Sequence, residues 1–349
     1  MTTPRLSICI PTYNRRKYLG DTITSITTQV SAADASRIEI CVSDNASTDG
    51  TEILIRELQS STPVRIIFSR NETNLGADSN YLRAVELASG DYCWYMGSDD
   101  TVAPGSLTRL LREIDEGHDI YLCNRIDCDI EMTYIRDRFW LDKSIKSEVF
   151  DFTVEDQFRR YAKHSLSVGA LFGYLSSIAF KREKWQAVTI DPVFMGTAYS
   201  HVYMLMSFIK TGCKLKYFSD HLIKSRGGND SFWAPSNEGI VNRIMIDIDG
   251  YLLLAERSIE FVADRGLSSR VDPAQWQAMV AGGQYQALAE GLMAAHYDPR
   301  YGKHRARAPQ APAKTIHAPS LALADLGKIA DQIAAAIPLI TSPERAQGR

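Results

Sequence analysis

Leu6-Ser7-Ile8-Cys9-Ile10 is an apolar run that stops abruptly at Pro11-Thr12-Tyr13-Asn14. A helical stretch from Lys17 to Gln29 follows, and the same alternation then repeats. Arg37 to Ser43 reads as a second strand, closed by Asp44-Asn45-Ala46-Ser47-Thr48-Asp49-Gly50. The next helix, Thr51 to Gln59, carries Ile53, Leu54 and Leu58 at amphipathic spacing. Val64 to Phe68 is a third strand and Gly76 to Ala88 a third helix. Tyr92 to Met96 is a fourth strand, broken by Gly97-Ser98-Asp99-Asp100, and Asp119 to Cys123 a fifth. Between them Pro104 opens a helix, since proline suits the first helical position. Strands alternating with helices of about 10 to 15 residues need crossover connections, which predicts an α/β fold with a largely parallel sheet.

In such sheets ligands bind beyond the carboxyl ends of the strands. Here Thr12 to Asn14, Asp44 to Asp49, Ser69-Arg70-Asn71 and Ser98 to Asp100 all follow strands, so the sequence predicts a polar crevice along one sheet edge. Asp49 is placed to cap the Thr51 helix, whereas Asp44 sits too early to cap and is better placed to accept a bond from a ligand. Asp99 and Asp100 are adjacent carboxylates that repel unless water screens them or a cation is shared; hard oxygen ligands favour Mg²⁺ or Mn²⁺.

Charge and composition exclude several classes. Among 349 residues, 39 Lys and Arg face 42 Asp and Glu, a net charge of −3, which argues against binding nucleic acid through bulk charge. No apolar run reaches the roughly 18 residues of a membrane span, and Met1 to Arg5 lacks a signal-peptide layout. Cys9, Cys41 and Cys93 sit in apolar runs, Cys123 and Cys128 form the one close pair, and no zinc spacing occurs; reduced thiols in a cytoplasm are the expectation.

Four motifs together resemble the family-two glycosyltransferases of the GT-A fold. They are Ser7 to Asn14, Val42 to Thr51, Asn74-Leu75-Gly76 and Gly97 to Asp100, and they span about the first 120 residues in the family's order. The wording of the second and fourth is similar to the abequosyltransferase-like group, which decorates lipopolysaccharide O-antigens. The resemblance implies a GT-A catalytic domain over residues 1–237, with a nucleotide-binding half at 1–125 and an acceptor half at 126–237. It also implies a nucleotide-diphosphate sugar donor, a glycan acceptor and a divalent cation, Mn²⁺ or Mg²⁺. Pro11, Thr12 and Tyr13 with Asp44 would hold base and ribose, with Asn14, Asn45, Asn74, Gly76 and Ser98 around them. Asp99 would ligate the metal, and Asp100 would assist or touch the donor sugar. Gly97 stands where the family usually places the first acid of Asp-x-Asp, which leaves coordination resting mainly on Asp99.

The acceptor half is less regular, with strand-like segments at Phe180 and Lys214 to Phe218 and a helix near Ser200 to Ile209. The family's base, often the aspartate of a Glu-Asp pair before a helix, has no carboxylate counterpart in Gly196 to Tyr203. His201 is the substitute, because an unperturbed imidazole titrates near neutrality, and Asp191 is its rival. Ser225 to Ser231 is a polar, Gly-rich loop. Arg226 could clamp phosphate there, as could Arg70; Asn229, Ser231 and Trp233 would meet the acceptor as a lid closes. Residues 238–349 read as a helical extension with a linker at 298–320. The basic Lys303 to Arg307, Lys314 and His317 would suit contact with anionic lipid and a lipid-linked acceptor, and the helices would suit membrane-surface or homo-oligomer packing. Two other classes stay open at this level. A sugar nucleotidyltransferase would usually carry glycines beside the basic Arg15-Arg16-Lys17, and a non-catalytic glycan-binding protein would tolerate Gly97.

Overall fold

The computed structural model describes residues 3–166 and 168–229, with 250 and 253. The chain opens with β1 (Leu6–Thr12), α1 (Arg16–Thr27), β2 (Ile38–Asp44), α2 (Thr51–Ser61), β3 (Arg65–Arg70), α3 (Ala77–Glu86) and β4 (Tyr92–Tyr95). It continues through β5 (Thr101–Val102), α4 (Ser106–Glu113), β6 (Ile120–Cys128), β7 (Tyr134–Arg138), β8 (Glu148–Asp151) and α5 (Glu155–His164). β9 (Ile178–Lys181), α6 (Arg182–Gln186), α7 (Ser200–Thr211) and β10 (Lys214–Arg226) complete it. The expected strand–helix alternation is present. The helix expected at Pro104 starts two residues later, at Ser106, because Gly105 takes a left-handed φ of 78° and turns the chain first.

The sheet runs β3-β2-β1-β4-β9-β6-β10-β5, with β7 on β6 and β8 on β10. β1 pairs in parallel with both β2 and β4, and β2 with β3. β9 lies antiparallel between β4 and β6, so β6 again points the way β4 does, and β10 runs parallel to β6. The sheet is therefore mixed and mainly parallel. Its order reverses between β1 and β4, the kind of switch point at which open α/β sheets leave a crevice.

Period-two alternation sends β1 side chains to opposite faces. Leu6, Ile8 and Ile10 join Leu19, Ile23, Ile55 and Leu110 beneath α1, α2 and α4. Cys9 instead joins Val85, Tyr161, Trp185 and Leu205 beneath the helices of the other face. Covered on both sides, β1 and β2 are buried throughout. All six cysteines are buried, and none is in a disulfide among the described residues. No helix among the described residues is long and apolar enough to cross a membrane. The predicted helices of 238–349 and the linker at 298–320 lie outside the described residues, apart from Gly250 and Leu253; Leu253 packs on the second of these cores.

At the edge opposite the crevice, buried Glu39 accepts bonds from Ser7 Oγ at 2.7 Å and Ser89 N at 2.6 Å, while Gly90 N donates to Ser7 Oγ at 2.9 Å. A Cβ on Gly90 would stand 2.7 Å from Ser7 Oγ, 3.0 Å from Ser7 N and 3.1 Å from Leu6 C. Gly90→Ala is thus expected to cost about 1–3 kcal/mol through backbone crowding. A lower urea midpoint at unchanged slope would register it; an unshifted midpoint would contradict the close contact.

Candidate active site

The tips of β1, β2 and β4 meet at the switch point. Asp44 closes β2 at 0% exposure. Its Oδ1 accepts from Ser47 N at 3.1 Å, whereas its Oδ2 has no hydrogen-bond partner among the described residues; Arg70 Nε stands 3.6 Å away. Thr12 Oγ1, at the tip of β1, is likewise buried without a partner. Two orphaned acceptors on one floor are costly unless a ligand brings donors. Pro11 is buried beneath them, and Tyr13, nearly half exposed, offers its ring at the mouth.

Most other donor-side residues are spent on shape. Asn14, at a left-handed φ of 51°, ties the β1 loop to the β2 loop: its N–H donates to Ser47 Oγ and its Oδ1 accepts from Thr48 N, both at 2.8 Å. Asn45 donates to Asn74 Oδ1 and Gly76 O, and accepts from Asn71 Nδ2 and Leu75 N. Buried Asn80, which sequence reasoning missed, donates to Thr12 O and Ser43 O and so straps the two strand tips together. Arg70 gives Nη2 to Ser47 O at 2.8 Å. The expected ligand contacts of Asn45, Asn74 and Gly76 thus coincide with internal bonds that set the loop.

Asp99 and Asp100 diverge sharply. Asp100 is buried, and its Oδ2 accepts from Tyr174 Oη at 2.5 Å and from Ser176 Oγ, while its Oδ1 accepts from Arg226 N at 3.1 Å. These partners occupy both oxygens, so Asp100 anchors the tip of β4 and does not fit the expected contact with the donor sugar. Asp99 Oδ2 takes one bond from Asn229 Nδ2 at 2.8 Å. Burial first, and then the charge of Asp100, push its carboxyl up to about 7, with Arg15 pulling the other way. Ser98, the residue before the two aspartates, is buried. Arg226 does not reach out as a phosphate clamp: its guanidinium donates to Asp99 O, Ile130 O and Asp21 Oδ2.

A carboxylate whose charge is destabilised by burial and a like-charged neighbour is chemically suited to a divalent cation. Among the described residues no group of three or more acidic, Cys or His side chains is arranged to hold one. Asp99, with one oxygen bonded only to Asn229, is chemically compatible with a cation whose remaining ligands would be oxygens from outside the chain. Gly97 follows from the same packing, because a Cβ there would lie 2.9 Å from Asp100 Oδ2 and 3.2 Å from Asp99 Oδ1.

His201 is corrected by its surroundings. It lies on α7 at 3% exposure, edge-on to Tyr81 at 5.5 Å and Tyr95 at 6.2 Å. Burial lowers its pKa to about 4 against the opposing charge of Asp78, so it is a neutral core residue rather than an accessible base. Asp191 is partly exposed and accepts from Val193 N at 3.0 Å, capping the Pro192–Phe194 turn. Ser231 and Trp233 lie outside the described residues.

Residues 7–184 match the family model described as Glycosyl transferase family 2, a span that includes Thr12, Asp44, Asp99 and Asp100. The chain belongs to that family. It is a glycosyltransferase, 44% identical over 253 residues to the abequosyltransferase RfbV of Salmonella typhimurium, covering 72% of this chain and 74% of that one. A second relative, the GalNAc(5)-diNAcBac-PP-undecaprenol beta-1,3-glucosyltransferase of Campylobacter jejuni, is 31% identical over 33% of this chain and 36% of its own. Among solved structures, S. aureus TarS 1-349 with UDP-GlcNAc aligns at TM-score 0.53 and 15% identity over 86% of this chain and 77% of that chain. The mannosyltransferase PcManGT of Pyrobaculum calidifontis, in complex with GDP-Man and Mn²⁺, aligns at 0.52 and 15% over 98% and 89%. At those identities the likeness concerns the fold, which is of the GT-A type.

Two outcomes follow for this family member. Gly97→Asp, which restores the usual first acid, should lower the melting temperature and leave calorimetric Mn²⁺ affinity no better, because the new side chain crowds Asp99 and Asp100. Tighter Mn²⁺ binding at an undiminished melting temperature would contradict that crowding. For His201, the unfolded imidazole takes up a proton near pH 6.5 and the folded one only near 4. Its contribution is therefore complete above about 6.5 and is lost as pH falls, on the order of 3 kcal/mol by pH 4. Urea unfolding of the wild type and His201→Leu should show the wild type losing that extra stability; parallel pH profiles would rule it out.

Proposed function

We propose that this chain transfers a sugar, of the deoxyhexose class or a close hexose relative, from a nucleotide-diphosphate donor to a glycan acceptor during assembly of a bacterial surface polysaccharide such as an O-antigen. The observation that carries the reading is a pair of buried oxygens at the switch point, Asp44 Oδ2 and Thr12 Oγ1, that accept no hydrogen bond from the described residues; Arg70 approaches Asp44 only at ion-pair distance. A nucleoside supplies the donors they lack, through a base N–H or a ribose hydroxyl. Tyr13 gives the base an aromatic face. The abequosyltransferase similarity, which runs over 72% of the chain, supports the sugar and polymer class. A lipid-linked acceptor, met at the inner face of the cell membrane, is supported more distantly by the undecaprenol-linked substrate in the name of the second relative.

In this mechanism the acceptor hydroxyl displaces the nucleoside diphosphate at the anomeric carbon. Asp44 and Thr12 fix the nucleoside, and the Asn45–Asn71–Asn74 bonds keep the loop around it from relaxing. Asp99 would hold the divalent cation, whose chemistry is to neutralise charge on the departing diphosphate. Asp100 keeps Asp99 in place through its three protein bonds. With His201 buried and neutral, Asp191 is the carboxylate of the α6–α7 connection that would take the acceptor proton.

A panel of UDP-, CDP-, GDP- and dTDP-sugars with Mn²⁺ tests the reading. One donor should be hydrolysed slowly or transferred. Asp99→Asn should cut that turnover on the order of 10²-fold while circular dichroism stays unchanged. Binding without turnover across matched donors and acceptors would replace catalysis with glycan binding, and full activity of Asp99→Asn would remove the metal from Asp99.

A further inference from the structure

Asp78 lies in the first turn of α3 and is 2% exposed. Its carboxylate accepts three backbone N–H bonds from a segment more than a hundred residues away. Oδ2 accepts from Gly196 N and Ala198 N, both at 2.8 Å, and Oδ1 from Ser200 N at 3.0 Å. The segment is shaped for this. Gly196 and Ala198 take left-handed φ values of 90° and 64°, so alternate amides converge on one point. Such converging amides make an anion-binding concavity, and here the chain fills it with its own carboxylate. Aromatic packing reinforces the joint: Tyr81 of α3 meets His201 of α7 edge-on at 5.5 Å.

Topology places the joint at the crevice. α3 starts just beyond the tip of β3. β10 runs parallel to β6, which points as β4 does, so β10 begins at the far edge and the preceding α7 has its N-terminus at the crevice edge. The connection that Asp78 grips runs from α6 to Ser200, and Asp191 is its one carboxylate.

We infer that Asp78 is a positioning residue that locks the α6–α7 connection onto the donor half, setting the acceptor-side wall of the crevice and the place of Asp191. The inference rests on the glycosyl-transfer reading. An isosteric amide at position 78 cannot satisfy all three N–H groups, because its nitrogen donates rather than accepts. The wall loosens while Asp44 and Thr12, on β2 and β1, keep their geometry, because the Asn80 bonds to Thr12 O and Ser43 O do not involve Asp78. Misplacing an acceptor by about 1 Å is enough to cost on the order of 10²-fold in rate.

The test uses the full chain and three readouts: the dissociation constant of the nucleoside diphosphate that the wild type binds, slow donor hydrolysis without acceptor, and acceptor-dependent kcat/KM. Asp78→Asn should lower acceptor-dependent kcat/KM about 10- to 100-fold. Nucleotide affinity and donor hydrolysis should stay within about twofold of the wild type. Gly196→Ala disturbs the same joint from the other side, through its left-handed φ, and should give the same split should Asp78→Asn fold poorly. Equal losses in all three readouts would reduce Asp78 to a general stabiliser, and wild-type acceptor kinetics in both variants would overturn its role. If the wild type itself neither binds a nucleoside diphosphate nor turns over any donor, the glycosyl-transfer reading fails instead.

Discussion

The buried carboxylate of Asp100 sets the terms for the rest of the site. A charge this deep is tolerated only when protein donors replace its water, and here Tyr174, Ser176 and Arg226 N do so. Those donors come from the turn before β9 and from the end of β10, so satisfying Asp100 draws both onto the tip of β4. Tyr174 stays protonated and able to donate, because burial and the charge of Asp100 hold its pKa well above the ordinary tyrosine value. The stacking of the Arg125 guanidinium on the Tyr174 ring, 3.8 Å from its centroid, fixes that ring in turn. Asp99 sits beside this cage, and its raised pKa comes first from its own burial and then from the charge of Asp100. The space that an acid at position 97 would need is already taken.

On the other side of the switch point a second polar system does the opposite job. Asn45, Asn71, Asn74 and Asn80 satisfy one another and the backbone of two strand tips. Asn45 and Asn80 use both their amide nitrogen and their oxygen in these bonds, which fixes the shape of the loop. Against that background Asp44 Oδ2 and Thr12 Oγ1 are informative, since buried oxygens that accept no hydrogen bond from the described residues are uncommon. A rigid wall with two unmet acceptors is preorganised for a ligand, which loses less entropy when it binds.

The two halves therefore differ in how far local sequence describes them. Donor-side motifs are strand ends, and a strand followed by a polar cluster is a local pattern, so the crevice and Asp44 were legible. Roles within each cluster were not. Asp99 and Asp100 are adjacent and chemically identical, yet one is caged and the other faces Asn229, because their partners lie 74 to 130 residues away. His201 failed for the same reason. Its local setting, a histidine at a helix start, suggests a titratable base, while Tyr81 and Tyr95 from two other elements bury it. Asp78 gave no local sign of its role, since an acid in the first turn of a helix ordinarily serves that helix.

By itself the sequence determined the alternating strands and helices, the mainly parallel sheet, the polar edge and, through four motifs in register, the family. Each of these depends on periodicity or on contiguous residues. Tertiary structure alone decided which of the two carboxylates is caged by protein donors, which asparagines are scaffold, why an acid at position 97 would crowd its neighbours, and that His201 is core. Those outcomes turn on burial and on hydrogen bonds between residues far apart in the chain, and neither is encoded in the spacing of neighbours.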